Sequence, residues 1–266
     1  MAKKPSYLFV SPHLDDAVLS CGGWISYLAD KAEVTVASVF TNAHNSPSSL
    51  SIRRFLKECG YNDSEKLFAD RRMEDKLANN LMGVKTIHLG FLDGLYRLKP
   101  QTIPILSDIL PDSRFVYPIF SWQLKRGKVS NHDKQLIDEV GRRVKNLIGP
   151  RTIIFAPAAV GYHLDHQIVR MACEQKFPET IFWSDFPYNV WNRQFSSDLI
   201  KRGYRKYEWR KNLEQKVELI KIYKTQVNLL FPDRNIPKVP EYYFAKQGVV
   251  PLSAAVGEFE PLTEEN

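Results

Sequence analysis

The sequence predicts an α/β protein with a Rossmann-like, mostly parallel sheet and helices on both faces. Short apolar runs of strand length alternate along the chain with longer segments whose apolar residues recur at helical spacing. Loops that contain carboxylates or histidines follow three of these apolar runs. Because ligands bind at the carboxyl ends of the strands in an open parallel sheet, we expect a functional site at that edge.

The predicted strands are short apolar runs that end in small or turn-forming residues, as buried strands of parallel sheets do. A polar loop over 41–51 and a long irregular segment over about 96–130 interrupt the alternation. In chain order, the predicted strands span about 7–10, 34–40, 86–89, 152–155, 181–183 and 242–245.

The predicted helices carry capping residues at their starts and helix-ending residues behind them. In the second helix, for example, Asp63 or Ser64 is the cap and Gly83 ends the helix. The first helix contains Gly22 and Gly23, which cost helix stability, and close packing on the sheet is the expected compensation. In chain order, the predicted helices span about 16–31, 64–82, 131–148, 164–175 and 211–230.

The 266 residues are expected to form one domain, with a core over about 6–231 and a Pro-rich tail over 232–266 that wraps the surface. The composition, 44% hydrophobic and 25% charged, is ordinary for a globular protein. No apolar run reaches the roughly 18 residues of a membrane span, and the apolar run at 7–10 is too short for a signal peptide. With three widely spaced cysteines, the chain is predicted to be cytoplasmic with reduced thiols.

The net charge of +7 is concentrated in segment 201–211, where basic and aromatic residues alternate. This pattern occurs in nucleic-acid-binding proteins, but it also fits an exposed strand whose aromatic face packs inward. We favour the strand, because the sequence contains no other nucleic-acid-binding motif. The predicted partner is a small molecule rather than a nucleic acid or a membrane, and a homo-oligomer is left open.

Two similar motifs, HLDD at 13–16 and HLDH at 163–166, each follow a predicted strand and contain three of the six histidines. His13 and Asp16 are three residues apart and can converge on one ion where a loop enters a helix, and His166 adds a third ligand from a distant strand. Two imidazoles and a carboxylate leave a position open for water and substrate, which is typical of a catalytic zinc site. Zn²⁺ is the expected cofactor, and Fe²⁺ also fits these ligands. The sequence therefore predicts a metal site at the carboxyl edge of the sheet.

The remaining residues of the two motifs are candidates for proton transfer. Asp15 points away from the Asp16 position and is the predicted general base for water at the metal. His163, as a protonated imidazole, would stabilise an oxyanion or protonate a leaving amine. Asp165 would accept a hydrogen bond from the far nitrogen of His163 and fix its tautomer and charge. Asp15 or Asp16 can also cap the first helix, which does not exclude catalysis.

Four further residues are candidates for substrate contact because they lie in loops at strand ends or on a helix near them. Asp93 can equally be a turn residue, and His88 and His132 are interpreted as a packed core residue and an exposed residue. The four candidates are Asp93, Arg71, His44 and Tyr162.

These motifs resemble those of the LmbE/PIG-L-like family of zinc-dependent N-acetylglucosaminyl deacetylases. The first family motif, PHPDDE, corresponds to PHLDDA at 12–17, and the second, HPDH or HxDH, to HLDH at 163–166. An Arg-x-x-Glu helix, an Asp-Gly strand end and a late Tyr-containing helix match 71–78, 89–94 and 221–226, in the family's order. The resemblance implies the ligand, base and acid roles given above and a Rossmann-like fold. Two departures, Leu14 for proline and Ala17 for glutamate, leave the ligands and the base unchanged.

The expected function is therefore a metal-dependent hydrolase that removes an N-acetyl group from an amino sugar or glycoconjugate. One alternative is an amidase for a non-sugar acyl amide, such as a thiol conjugate or an antibiotic intermediate. A second alternative, from another class, is a non-catalytic protein that binds carbohydrate or nucleic acid. It is less favoured because a protein that only binds has no need of the base at Asp15.

Overall fold

In the computed structural model, residues 5–46, 49–100, 110–119, 127–191, 196–246 and 260–261 are described. Their strands form one sheet in the order β3-β2-β1-β4-β5-β7-β6-β8. The first five strands are parallel, and β7, β6 and β8 continue the sheet in antiparallel pairs. In chain order, the strands are β1 (Ser6–Ser11), β2 (Glu33–Asn42), β3 (Lys85–Leu92), β4 (Thr152–Pro157), β5 (Ile181–Trp183), β6 (Tyr204–Trp209), β7 (Glu241–Lys246) and β8 (Glu260–Pro261).

Helices cover both faces of this sheet, which confirms the predicted fold class. Short 3₁₀ turns occupy parts of the segments after β3 and before the fourth helix. In chain order, the α-helices are α1 (Asp16–Ala29), α2 (Leu50–Cys59), α3 (Ser64–Leu81), α4 (Lys134–Lys145), α5 (Leu164–Lys176), α6 (Tyr188–Trp191), α7 (Ser196–Lys201), α8 (Leu213–Ile220) and α9 (Lys224–Leu230).

Neighbouring residues of β1 belong to two different hydrophobic clusters, because successive side chains of a strand point to opposite faces. Phe9 joins the cluster that contains Trp24 of α1 and Ile220 of α8. Val10 joins the cluster that contains Val140 of α4 and Ile168 of α5. The sheet is therefore buried on both faces.

Strand β1 lies between β2 and β4 in the sheet, so the chain changes direction along the sheet at the β1–β4 pair. Such a switch point opens a crevice at the carboxyl ends of the two strands. The loops that follow β1 and β4 contain the two His/Asp motifs. The topology therefore brings the two motifs to one place.

The two glycines of α1 allow the helix to approach other backbone closely. A Cβ atom on Gly23 would lie 2.7 Å from the carbonyl oxygen of Lys211. The Gly23 N–H donates to Oε1 of Glu241 on β7 at 2.8 Å, and Nζ of the buried Lys216 lies 3.3 Å from the same carboxylate. Close packing is thus present, but the nearest backbone belongs to the loop between β6 and α8 rather than to the sheet that was expected from the sequence, and a buried ion pair accompanies it.

The start of the C-terminal tail differs from the expected surface wrapping. Residues Glu241–Lys246 form β7, which confirms the strand predicted over 242–245, and β7 pairs with β5 on one side and β6 on the other. Tyr243 and Phe244 of this strand are almost fully buried. The two antiparallel partners bury this short run, which the sequence pattern of the tail alone does not reveal. Residues 247–259 and 262–266 of the tail lie outside the described residues.

Two helical segments also differ from prediction. Helix α2 begins at Leu50, inside the predicted polar loop, and only Ile52 and Leu56 in it are buried. The single helix expected over 211–230 is divided into α8 and α9. At the division, the buried Tyr223 directs its hydroxyl to Asp75 on α3 at 3.1 Å. A tertiary contact thus accompanies this break in the periodic pattern.

Segment 201–211 contains β6, as the favoured interpretation predicted. Tyr204 and Trp209 are buried, and Arg205 is exposed. The buried aromatic rings are not available for stacking on bases.

The three cysteines are free thiols. Within the described ranges, no helix combines the length and the apolar character that crossing a bilayer requires.

Candidate metal centre

His13, Asp16 and His166 meet at the carboxyl ends of β1 and β4. The Oδ2 atom of Asp16 lies 3.0 Å from Nδ1 of His13 and 3.2 Å from Nε2 of His166. All three side chains are buried. The structure thus brings together the three residues predicted as metal ligands.

The loop between β1 and α1 is held by short-range hydrogen bonds. Ser11 Oγ donates to the carbonyl oxygen of His13 and accepts from the N–H of Ala17. The N–H of His13 donates to Oδ2 of Asp16 at 2.8 Å. Asp15 occupies the N-cap position of α1 but makes no side-chain capping hydrogen bond. Ser11 therefore fixes the start of the helix, and the Asp15 carboxylate does not serve as its cap.

Each of the two imidazoles has a second carboxylate on its other nitrogen. Nδ1 of His166 lies 2.6 Å from Oδ1 of Asp185, and Nε2 of His13 lies 3.2 Å from Oδ2 of Asp165. Carboxylates in this position orient metal-binding histidines and raise their basicity. Asp185 was not among the residues predicted from the sequence, although its place two residues after the end of β5 was a usable signal.

Charges within the cluster favour protonated imidazoles beside an ionised Asp16, and a metal cation can replace those protons. Burial opposes protonation of both imidazoles, but Asp16, together with Asp185 at His166 and Asp165 and Asp93 at His13, raises the pKa of His166 to about 9 and that of His13 well above its usual range. Burial raises the pKa of Asp16, yet the two imidazoles hold it well below the usual range. Two nitrogen donors and one carboxylate, buried and already converging, fit a divalent metal ion.

Asp15 lies beside this cluster at the wall of a cavity. Burial and the neighbouring Asp16 carboxylate raise the pKa of Asp15 to about 6, although Arg71 acts in the opposite direction. Nη2 of Arg71 lies 3.7 Å from Oδ1 of Asp15. A carboxyl group with this pKa can accept and return a proton near neutral pH.

His163 and Asp165 are arranged differently from the expectation. The backbone N–H of Asp165, rather than its carboxylate, donates to Nδ1 of His163 at 3.2 Å. This contact places the hydrogen of a neutral ring on Nε2. Burial and the imidazoles of His13 and His166 lower the pKa of His163 well below its usual range. Both observations favour a neutral ring that donates from Nε2 over the protonated imidazole expected from the sequence.

The Asp165 carboxylate is held by three groups other than His163. It accepts from the N–H of Gly94 at 2.9 Å and from Nη2 of Arg97 at 2.5 Å, and it contacts His13. Burial raises the pKa of Asp165, but Arg97 and His13 together hold it below its usual range. Nε of Arg97 in turn lies 3.0 Å from Oδ2 of Asp133. No pattern in the sequence pointed to Arg97.

Two of the four candidate substrate contacts line the cavity at the cluster, and two do not. Arg71 and Asp93 belong to the wall of this cavity of about 500 Å³, together with Asp15 and His163. His44 is outside that wall, with Nε2 2.9 Å from the carbonyl oxygen of Tyr96. Tyr162 is also outside it. His88 is a packed residue, as interpreted from the sequence, with Nε2 2.8 Å from Oδ2 of Asp75.

Two related enzymes share sequence with this chain. A 2'-N-acetylparomamine deacetylase from Streptomyces fradiae is 30% identical over 187 residues, which cover 68% of this chain and 57% of the relative. A 2'-N-acetylparomamine deacetylase from Niallia circulans is 24% identical over 255 residues, covering 89% of this chain and 86% of the relative. The matched part thus spans less than two thirds of the first relative.

Solved structures with a similar fold include a deacetylase of the teicoplanin biosynthesis pathway in complex with teicoplanin. It has 28% identity and a TM-score of 0.69, and the match covers 90% of this chain and 97% of the other. A zinc-inhibited form of teicoplanin deacetylase Orf2 has 28% identity, the same coverage and a TM-score of 0.67. Residues 8–177, which contain both His/Asp motifs, match the PIG-L family described as GlcNAc-PI de-N-acetylase, and the chain belongs to that family.

Proposed function

We propose that this protein is a metal-dependent hydrolase that removes an N-acetyl group from an amino sugar or glycoconjugate. The observation that carries the proposal is the buried convergence of His13, Asp16 and His166, with Asp15 beside them at the wall of a cavity. The relatives named above are deacetylases, and two act on an N-acetylated paromamine. The alternative substrate is a non-sugar acyl amide.

The proposed ion is Zn²⁺, with Fe²⁺ as the second candidate for the same ligands, which are His13, Asp16 and His166. Asp165 and Asp185 would keep the two imidazoles in orientation. When bound, such a metal polarises the amide carbonyl and lowers the pKa of a water molecule in the site.

Asp15 acts as the general base in this proposal. Its carboxylate takes a proton from the attacking water while the water oxygen forms a bond to the amide carbon. The C–N bond then breaks, and Asp15 returns the proton to the leaving nitrogen, which leaves acetate and a free amine. Arg71, 3.7 Å away, keeps Asp15 ionised at a lower pH than burial alone would allow.

His163 donates a hydrogen bond to the carbonyl oxygen as negative charge develops there. A donor aimed at an oxyanion contributes more in the transition state than in the ground state. The backbone N–H of Asp165 holds Nδ1 of His163 as the acceptor and so keeps the hydrogen on Nε2. The ring thus acts as a neutral donor and needs no proton from solution.

The proposal is tested by metal removal and restoration. Purified protein is stripped with a chelator, reloaded separately with Zn²⁺ or Fe²⁺, and assayed for amine and acetate release from N-acetylglucosamine, its glycosides and simple N-acetyl amides. We expect equal amounts of amine and acetate from the sugars, only with metal restored. Release from simple amides but not sugars would favour the alternative substrate. No release with either metal would contradict the proposed function.

The cytoplasmic location expected from the sequence remains a prediction.

A further inference from the structure

The guanidinium group of Arg97 lies buried between two carboxylates that come from distant parts of the chain. Its Nη2 donates to Oδ1 of Asp165 at 2.5 Å, and its Nε lies 3.0 Å from Oδ2 of Asp133. Nη1 donates to the carbonyl oxygen of Leu92 at 3.2 Å. Because the donors of a guanidinium lie in one rigid plane, these three partners fix its orientation.

Two aromatic rings and a glycine shape the space around this group. The guanidinium carbon lies 5.0 Å from the ring centre of Phe40 and 5.6 Å from that of Tyr117. A Cβ atom on Gly94 would lie 2.9 Å from Nη2 of Arg97 and 3.1 Å from Oδ1 of Asp165, closer than side chains normally approach. The missing side chain of Gly94 therefore leaves room for the ion pair.

The two oxygen atoms of Asp165 have different partners. Oδ1 accepts from Arg97, whereas Oδ2 accepts from the N–H of Gly94. Oδ2 also lies 3.2 Å from Nε2 of His13. The contact on Oδ1 thus sets the direction in which Oδ2 points. The ring of His163, centred 4.8 Å from that of His13, is a second imidazole to which a freed Asp165 carboxylate would turn.

A cation is needed at this place because a second carboxylate faces the same nitrogen. Oδ2 of Asp93 lies 3.6 Å from Nε2 of His13, and both Asp93 and Asp165 are buried. Two buried carboxylates at this separation repel each other unless a cation lies beside them. Arg97 places its positive charge on the other oxygen of Asp165.

From these contacts we propose that Arg97 is a positioning residue of the metal centre, which directs the Asp165 carboxylate to His13 and keeps it away from His163. Arg97 acts on the metal through Asp165 and His13. This inference rests on the metal site of the proposed function, but its test requires neither a substrate nor a reaction.

A double-mutant cycle on zinc affinity tests whether Arg97 acts through Asp165. Zinc dissociation constants are measured by chelator competition for the wild type, Arg97→Met, Asp165→Asn and the double variant. We expect Arg97→Met to lower zinc affinity about tenfold or more, as the loss of support behind a metal-binding histidine does. In the Asp165→Asn background the same change should cost less than about threefold, because the carboxylate that it positions is already absent. Equal losses in the two backgrounds, or no loss in either, would overturn the inference.

Arg170 provides the matched control for the loss of a buried arginine. Like Arg97 it is 6% exposed, pairs with a carboxylate, that of Asp198 at 3.2 Å, and lies over an aromatic ring, that of Phe182. It does not belong to the cavity wall. Arg170→Met should leave zinc affinity unchanged. A loss equal to that in Arg97→Met would overturn the inference, because any buried arginine would then have the same effect.

Two measurements separate positioning from a general loss of structure. Arg97→Lys keeps the charge but not the planar set of donors, so it should retain only part of the zinc affinity. It also replaces Arg97→Met in the cycle if the methionine variant does not fold. In Arg97→Ala, guanidinium chloride at millimolar concentration should restore zinc affinity by filling the vacated place, whereas sodium chloride at the same ionic strength should not. Equal effects of the two salts would overturn the inference.

The outcomes keep this inference apart from the proposed function. Coupled zinc affinities would support the positioning role of Arg97 even if no amide is hydrolysed. A wild-type protein that binds zinc, with additive losses in the cycle, would overturn the inference and leave the proposed function in place. A wild-type protein that does not bind zinc would overturn both.

Discussion

Nε2 of His13 lies 3.2 Å from Oδ2 of Asp165, a residue of the second His/Asp motif. The other nitrogen of the same ring faces Asp16 at 3.0 Å. One imidazole thus joins the two motifs, with the carboxylate of its own motif on one side and that of the distant motif on the other. The orientation of His13 therefore depends on both halves of the site.

Replacement of Asp165 should weaken metal binding. Asp165→Asn removes the carboxylate that orients His13, and the loss of such a partner typically lowers metal affinity by about 10–100-fold. Zinc affinity is measured by competition with a chromophoric chelator. Asp185→Asn should have a similar effect through His166. His132→Gln, in a turn outside the cavity wall, is the control. Unchanged affinity in both asparagine variants would contradict the assigned orientation.

Metal binding should release protons and strengthen as the pH rises. The pKa of His166 is raised to about 9 and that of His13 well above its usual range, so both rings are protonated at neutral pH before metal binds. A metal ligand must be a neutral imidazole, so about two protons should leave per metal bound near pH 7. Calorimetry in buffers of different ionisation enthalpy counts them. If no protons are released, the imidazoles are already neutral before the metal binds, which contradicts the prediction.

Loss of Arg71 should shift the acid limb of the pH profile. The guanidinium lowers the pKa of Asp15, whose value is about 6, and the base acts only when deprotonated. Without Arg71 the pKa rises, so kcat/KM should begin to fall at a higher pH as the pH is lowered. A bound metal cation would move the acid limb to lower pH in the wild type and in the variants alike. Profiles of wild type, Arg71→Met and Arg71→Lys test this, with lysine expected to restore part of the shift. Superimposable limbs would contradict the role of Arg71.

The glycines of α1 should differ in their tolerance of alanine. A Cβ atom at Gly23 would lie 2.7 Å from a backbone carbonyl oxygen, whereas at Gly22 its nearest neighbour is Cγ of the Lys216 side chain at 3.3 Å. Gly23→Ala should therefore lower the free energy of unfolding by about 1–3 kcal/mol, as overpacking does, and Gly22→Ala by less. Chemical denaturation measures both. Equal effects would contradict the close approach at Gly23.

The two motifs made the centre of the site predictable. Each directly follows a strand of a parallel sheet, and the carboxyl ends of such strands share one edge. The positions of His13 and His166 relative to each other therefore follow from the sequence pattern and the fold class. The glycine pair in α1 was likewise a usable signal of close packing.

The contacts around the ligands were not predictable in the same way. Asp165 was expected to serve His163 with its carboxylate, but that group faces His13, Gly94 and Arg97. The direction of a side chain at a helix start depends on partners far away in the chain, which spacing does not encode. Arg97 illustrates this, because it lies in a segment without regular periodicity.

Helix α2 was missed from the sequence, whereas the strand at β7 was predicted but its place inside the sheet was not. Helix α2 buries only Ile52 and Leu56, too few to give a periodic signal. Strand β7 follows a Pro-rich stretch, and its place between β5 and β6 is set by tertiary pairing. Of the two, α2 contributes residues to the cavity wall.

The most direct test of the account compares metal content and amine release in wild type, Asp15→Asn and His166→Gln. We predict that Asp15→Asn retains about one metal ion per chain but loses about 10²–10⁴-fold in kcat, as the loss of a general base does. His166→Gln should lose the metal and the activity together. If Asp15→Asn keeps both its metal and its rate, Asp15 is not the base. If His166→Gln keeps its metal, the assigned metal centre is wrong.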